Sequence, residues 1–131
     1  MPTPARLPTT LAPWLNVQSG GRAAAFYQQA FGAEVEFQTG EPENLVARLS
    51  VDGAVFWLSD ESPLYANFSP PALGGSTVRL VLTVSDPQAV FARALAAGAE
   101  QIAPVTEAHG WLSGRLLDPF GHHWEIGRPL V

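Results

Sequence analysis

Phe31–Glu34 reads FGAE, and Ala97–Glu100 reads AGAE. The same succession of patterns surrounds both tetrapeptides. Ahead of the first lies SGGRAAAFYQQAFG (19–32), with apolar residues at Ala23, Tyr27, Ala30 and Phe31. This is the i, i+4, i+7, i+8 spacing of a helix buried on one face. Gly32 stops that helix as a left-handed cap would. Ahead of the second lies SDPQAVFARALAAG (85–98), with Asp86 placed to cap, Pro87 at the first helical position and Gly98 past the end. An apolar run precedes each helix, LAPWLNV (11–17) in one case and TVRLVLTV (77–84) in the other.

Three strand candidates follow each helix. In the first copy they are Ala33–Gln38, Asn44–Val51 and Ala54–Ser59, with Asp52-Gly53 as the turn closing a hairpin. In the second they are Glu100–Val105, Trp111–Leu117 and His122–Arg128. Val17 answers Val84, and the Asp52-Gly53 turn answers the one spanning Asp118 to Gly121. The chain therefore reads as an α+β protein, a βαβββ unit used twice in one domain over 1–131. Module one covers about 10–59 and module two about 77–128. The connector 60–76 is rich in Pro, Gly and Ser; a loop of that length is a linker or a lid, and the linker is the plainer reading.

At 131 residues the chain is one domain by length, able to bury roughly 68% of its unfolded surface. Apolar residues make up 47% and charged residues 15%, a core-forming balance. A formal charge of −5 argues against a nucleic-acid partner, which needs a basic stripe. All seven basic residues are Arg, so lysine Schiff bases and lysine general bases are excluded. The absence of Cys excludes disulfides, thiolate nucleophiles and Cys-rich zinc sites. No run suits a signal peptide or a membrane span, so no membrane partner and a cytoplasmic location are expected.

A paired βαβββ unit with FYQQAFGAE (26–34) ending its first helix and DPFGHHWEI (118–126) in its last hairpin resembles the vicinal oxygen chelate superfamily. That superfamily holds the glyoxalases, bleomycin-resistance proteins and extradiol dioxygenases. The tail of the connector, SPPALGGSTVRLVLTV (69–84), looks most like a PhnB-like branch. The resemblance implies that the strands curl into an eight-stranded cup with the helices outside. It also implies four metal-ligand positions, on the first and last strands of each module. By register these fall on Ala12, five residues before Val17, and Trp57, four after Gly53. In the second module they fall on Arg79, five before Val84, and Glu125, four after Gly121.

Of these four, Glu125 alone is a ligand type: Ala has no donor, the Trp ring nitrogen supplies none, and a guanidinium repels a cation. A catalytic divalent site wants three protein ligands and an open position. His123 shares a strand face with Glu125 and would hold a second corner. The stronger expectation is a metal-free site, with Arg79 and Glu125 forming a two-pronged buried pair whose rupture costs about 3–5 kcal/mol. His122 is expected to be solvated or capping, and His109 a lone surface histidine in a loop.

Strand alternation from the implied positions gives the rest of a cup lining. Trp14 and Asn16 join from the first strand, Val55 and Ser59 from the strand after Asp52, and Val81 and Thr83 from the strand of Arg79. Trp111, Ser113 and Arg115 are placed inward as well, and Trp124, of opposite parity, belongs to the core. The expected ligand-binding set is Trp14, Asn16, Trp57, Arg79, Trp111, Arg115, His123 and Glu125. No metal, no cofactor and no catalytic residue is assigned, since no nucleophile–base set is readable. The reading is metal-independent binding of a small aromatic or hydrophobic molecule, with antibiotic sequestration as the role the resemblance implies. The alternatives are a metal-dependent lyase, isomerase or dioxygenase using His123 and Glu125, and a protein whose occluded cup serves dimer contact alone. A homodimer is expected, by packing whole cups or by exchanging modules.

Overall fold

Helix α1 (Gly20–Phe31) begins where the Ser19 hydroxyl accepts from the Arg22 amide and ends at Gly32 in the left-handed conformation. This computed structural model describes residues 3–41 and 44–131; residues 1–2 and 42–43 of the expected domain lie outside the described residues. Around α1 are arranged β1 (Trp14–Val17), β2 (Glu34–Thr39), β3 (Val46–Val51) and β4 (Ala54–Asp60). They form one four-stranded sheet in the order β1-β4-β3-β2, with β1 parallel to β4. The second copy repeats the arrangement. β5 (Arg79–Thr83), β6 (Glu100–Ala108), β7 (Trp111–Leu117) and β8 (His123–Pro129) form a sheet in the order β5-β8-β7-β6. Its helix, α3 (Pro87–Ala97), is capped by the Asp86 carboxylate and closed by Gly98, as expected.

The internal register holds at the level of strand pairs: Trp14 lies beside Trp57, and Val81 beside Glu125. The Asp52-Gly53 turn has φ of +48° and +86°, the two left-handed residues of a tight hairpin. The α+β, two-module architecture is thus the observed one. Its eight strands lie in two four-stranded sheets that do not close into a barrel. Ala12 precedes β1 instead of lying on it, and Pro13, at the strand's threshold, contributes only its carbonyl, to the Trp57 amide.

The two sheets meet through the helices. α1 packs on β3 and β4, α3 packs on β6, β7 and β8, and the helices pack on each other. Phe56 of β4, Trp124 of β8, and Tyr27 and Phe31 of α1 form one aromatic cluster, with Phe56 and Trp124 centroids 5.5 Å apart. Trp124 is in the core, as its parity required. One face of each sheet therefore belongs to a shared core, and the other faces look away from it.

A buried carboxylate locks this junction. Asp118 opens the β7–β8 turn, where its Oδ1 accepts from the amides of Phe120 and His122. Its Oδ2 accepts from the Trp124 indole at 2.9 Å and from the Tyr27 hydroxyl on the other module's helix. Burial first, then the neighbouring Asp118 charge, push the Tyr27 phenol well above its ordinary pKa, so it stays a donor. The connector is tied to the same place: Ser69 is fully buried and donates to Glu61 at 2.6 Å, and helix α2 (Pro70–Leu73) starts with Pro70 against Gly121. Among the described residues, no helix is long and apolar enough to cross a membrane.

Asp118→Ala would strand four donors at once. It should destabilise the fold by about 3 kcal/mol or more, and Tyr27→Phe by about 1.5–3 kcal/mol. Denaturant unfolding of both variants checks this, and a loss under 1 kcal/mol for Asp118→Ala would remove the clamp from the account.

Candidate functional site

The outward face of the first sheet carries an aromatic array. Trp14 and Trp57 are register partners on parallel strands, and their rings stack at 5.3 Å with planes 5° apart. The Trp14 indole nitrogen donates to Ser59 Oγ at 2.8 Å, which fixes its ring. Arg48 sits opposite Trp57 across the β3–β4 hairpin, with its guanidinium carbon 5.6 Å from the ring centroid. Phe37 meets Trp57 edge-on at 6.3 Å. Glu36 holds Arg48 in place, with Oε1 3.1 Å from Nε. Trp14 is 51% exposed, so the array is open to solvent.

Arg48 and Phe37 were absent from the expected set. A two-residue turn at Asp52-Gly53 pairs Val51 with Ala54, and counting back along both strands brings Arg48 opposite Trp57, so Arg48 was legible. Phe37 was not. A bulge between Val35 and Phe37 shifts the parity of β2 and carries Phe37 to the level of Arg48.

The outward face of the second sheet is more polar. Gly114 and Leu116 turn toward α3, where a Cβ at Gly114 would meet Phe91 at 2.9 Å. Trp111, Ser113 and Arg115 accordingly take the other face, the parity expected for them. A cleft of about 440 Å³ is lined by Trp111, Ser113, Val81, Glu125 and Gly127, with His109 at its rim. His109 is exposed in the β6–β7 turn with φ +53°.

Two expectations for this face need correcting. Arg79 does not form a buried, two-pronged pair with Glu125. One guanidinium nitrogen lies 3.7 Å from one carboxylate oxygen, and the side chains are 52% and 31% exposed. The reason is register: the partner of Arg79 on β8 is His123, so its side chain reaches Glu125 only diagonally from an edge strand. A pair this exposed is worth about 0–1 kcal/mol in place of the several expected. Nor is His122 solvated or a cap: its Nε2 donates to the Asn16 carbonyl at 2.9 Å, linking the two modules.

The eight expected residues thus fall into two groups. Trp14, Asn16 and Trp57 share the first sheet; Arg79, Trp111, Arg115, His123 and Glu125 share the second. Among the described residues no hydrogen-bonded ladder joins the two sheets. A divalent metal does not fit the donors offered. Among the described residues no three His, Cys, Asp or Glu side chains gather, and the cationic Arg79 stands where a ligand would.

Burial first, then the Arg115 charge, lower the pKa of His123; Arg79 and His122 act the same way, and Asp118 opposes them. An unfolded histidine takes up its proton near pH 6.5. As pH falls through that value the unfolded state binds a proton that the folded state resists, so stability is lost toward acid. His123→Gln should lose less stability than the parent between pH 7.5 and about 5.5. Thermal melts across that range check it, and equal slopes would show that His123 protonates freely.

Comparison with known proteins follows the same lines. An uncharacterised protein of Mycobacterium bovis is 37% identical over 126 residues, covering 92% of this chain and 83% of that protein. A gene product of Arabidopsis thaliana has been solved by X-ray crystallography; it is 33% identical, covers 93% of this chain and 100% of its own, and gives a TM-score of 0.74. The Listeria monocytogenes fosfomycin resistance protein FosX, solved with Mn(II) and sulfate, shares the fold at a TM-score of 0.69 and 15% identity, with 94% and 93% of the two chains covered. The glyoxalase-like domain model matches residues 14–127, β1 through β8, and the chain belongs to that family, within the glyoxalase, bleomycin-resistance and dioxygenase superfamily.

Proposed function

We propose that this protein binds a small aromatic or hydrophobic molecule without a metal, in a cup lined by the outward faces of its two sheets. The observation that carries this reading is the stacked Trp14–Trp57 pair with Arg48 over it, held on a solvent-open face. Stacked indoles with a guanidinium offer planar ligands contacts of roughly 0.5–2 kcal/mol each. Mostly apolar walls with a few placed polar groups suit a small-molecule site. Trp14, Asn16 and Trp57 serve from the first sheet, and Arg79, Trp111, Arg115, His123 and Glu125 from the second.

Because each chain turns these faces away from its shared core, a cup using both draws its second sheet from another copy. A homodimer with exchanged modules therefore accompanies this reading, and the connector 60–76 spans the junction. Residues 1–131 act as one domain, in the cytoplasm. Sequestration of an aromatic compound such as an antibiotic is the use, motivated by the superfamily and by the resistance protein among the fold neighbours. The second reading is a metal-dependent lyase, isomerase or dioxygenase built on His123 and Glu125. In its favour, His123 Nδ1 is buried on the face of Glu125 without a partner among the described residues.

Thermal melts after EDTA, then with Zn²⁺, Ni²⁺, Fe²⁺ and Mn²⁺ in turn, should coincide. A metal at 100 times its Kd would add about 2.7 kcal/mol, and loss of that gain in Glu125→Gln would hand the argument to the metalloenzyme. Planar aromatics should quench the tryptophans, with Trp57→Ala weakening binding by roughly tenfold. Failure of every compound in such a panel would end the binding reading. Sedimentation should show a dimer at micromolar concentration, and a monomer that still binds fully would remove the second copy from the cup.

A further inference from the structure

On the outward face of the second sheet, two buried nitrogens lack partners among the described residues. Arg115 on β7 is the register partner of Glu125, and His123 is its diagonal neighbour, roughly 7 Å away at Cα. Glu125 is approached by Arg79, so those two charges offset each other. Arg115 lies in no ion pair within 4 Å among the described residues, which leaves one guanidinium uncompensated. Its Nε and the Nδ1 of His123 are both buried with no hydrogen-bond partner among the described residues. A buried N–H without an acceptor is costly, and an acceptor from outside the chain would relieve it.

The same strand supplies an apolar wall. Trp111 and Arg115 are four residues apart on β7, so about 13 Å separates their Cα atoms on one face. Between them the floor is Ser113 and Gly127, which are register partners. A Cβ at Gly127 would meet Ser113 Cβ at 2.6 Å, so this glycine allows the strands their close approach and keeps the floor low. The cleft is thus lined by an indole, a floor without bulk and Glu125, and Arg115 and His123 follow Glu125 on the same sheet face as its register and diagonal neighbours.

We propose that this face selects an organic anion: an aromatic or hydrophobic carboxylic acid, its carboxylate on Arg115 and His123 Nδ1 and its ring system against Trp111. The proposal rests on the binding reading above and names the ligand class for that same cup. A guanidinium meets a carboxylate through two parallel N–H donors, and a neutral imidazole adds a third from Nδ1. A neutral imidazole carries a single ring proton, free to sit on Nδ1, and the Nδ1 of His123 has no partner among the described residues. Glu125, already faced by Arg79, orients the acid away from the β5 side of the cleft.

The test compares 2-naphthoate with its neutral amide, 2-naphthamide, by tryptophan quenching and calorimetry on the full chain. The acid should bind about tenfold or more tightly than the amide. Arg115→Gln should erase that preference by weakening the acid more than the amide, whereas Trp111→Ala should weaken both compounds alike. Equal affinities, or a preference for the amide, in the unmodified protein would overturn the proposal and leave the binding reading standing. If neither compound binds while other planar aromatics quench, the acid class is wrong. If nothing binds at all, the binding reading falls with it. The comparison of acid with amide needs no variant, so it decides the matter even if Arg115→Gln fails to fold.

Discussion

One buried carboxylate organises the molecule. Asp118 sits at the turn that starts β8, and the five residues after it include a proline, a glycine and two histidines. Such a turn would ordinarily be a surface feature. Here its carboxylate accepts two amides of its own turn, the indole of Trp124 and the phenol of Tyr27 from the other module. The indole is anchored so that Trp124 fills the space between Phe56, Tyr27 and Phe31. A charged group held this way is stabilising only as long as every donor is present, so the contact specifies one docking of the modules and rejects others.

That docking decides what the sheets can do. Helices α1 and α3 lie on the inner faces, and the shared core uses up the apolar side of each sheet. The remaining faces carry residues that a core would not choose: an exposed Trp14 stacked on a half-buried Trp57 on one, and Arg79, Arg115, His123 and Glu125 on the other. His122 draws the turn against Asn16, and Pro70 packs on Gly121, so the connector and the edge of β1 are pinned beside the same turn. The site is therefore set by how the modules meet as much as by the strands that bear its residues.

Much of this was legible from spacing alone. Helix ends marked by Gly32, Asp86 and Gly98 depend on local chemistry, and a local signal survives without knowledge of the fold. The parity of Trp111, Ser113 and Arg115 followed from keeping a guanidinium out from under the helices. Three features were hidden for physical reasons. The bulge at Val35–Phe37 changes which face a residue takes, and a bulge leaves no mark in an alternating pattern. The Arg79–Glu125 contact was overestimated because shared face does not imply shared row; in a parallel pair the partner of Arg79 is His123. The role of Asp118 depends on Tyr27, 91 residues away, and no local rule connects them.

The two modules repeat a backbone but no longer repeat a chemistry. At matched positions β1 and β4 offer Trp14 and Trp57, while β5 and β8 offer Val81 and Glu125. The first pair forms a stack whose edges are set by Arg48 and Phe37; the second leaves a low floor with charge at one side. A metal site would need donor atoms from several side chains to converge on one point. Here each supplies a different kind of contact over an extended surface, stacking from one and charge from the other. A ligand that matched both would be flat, apolar over most of its area and polar at one end. This asymmetry, more than the residue type at any single position, is what the proposed binding role draws on.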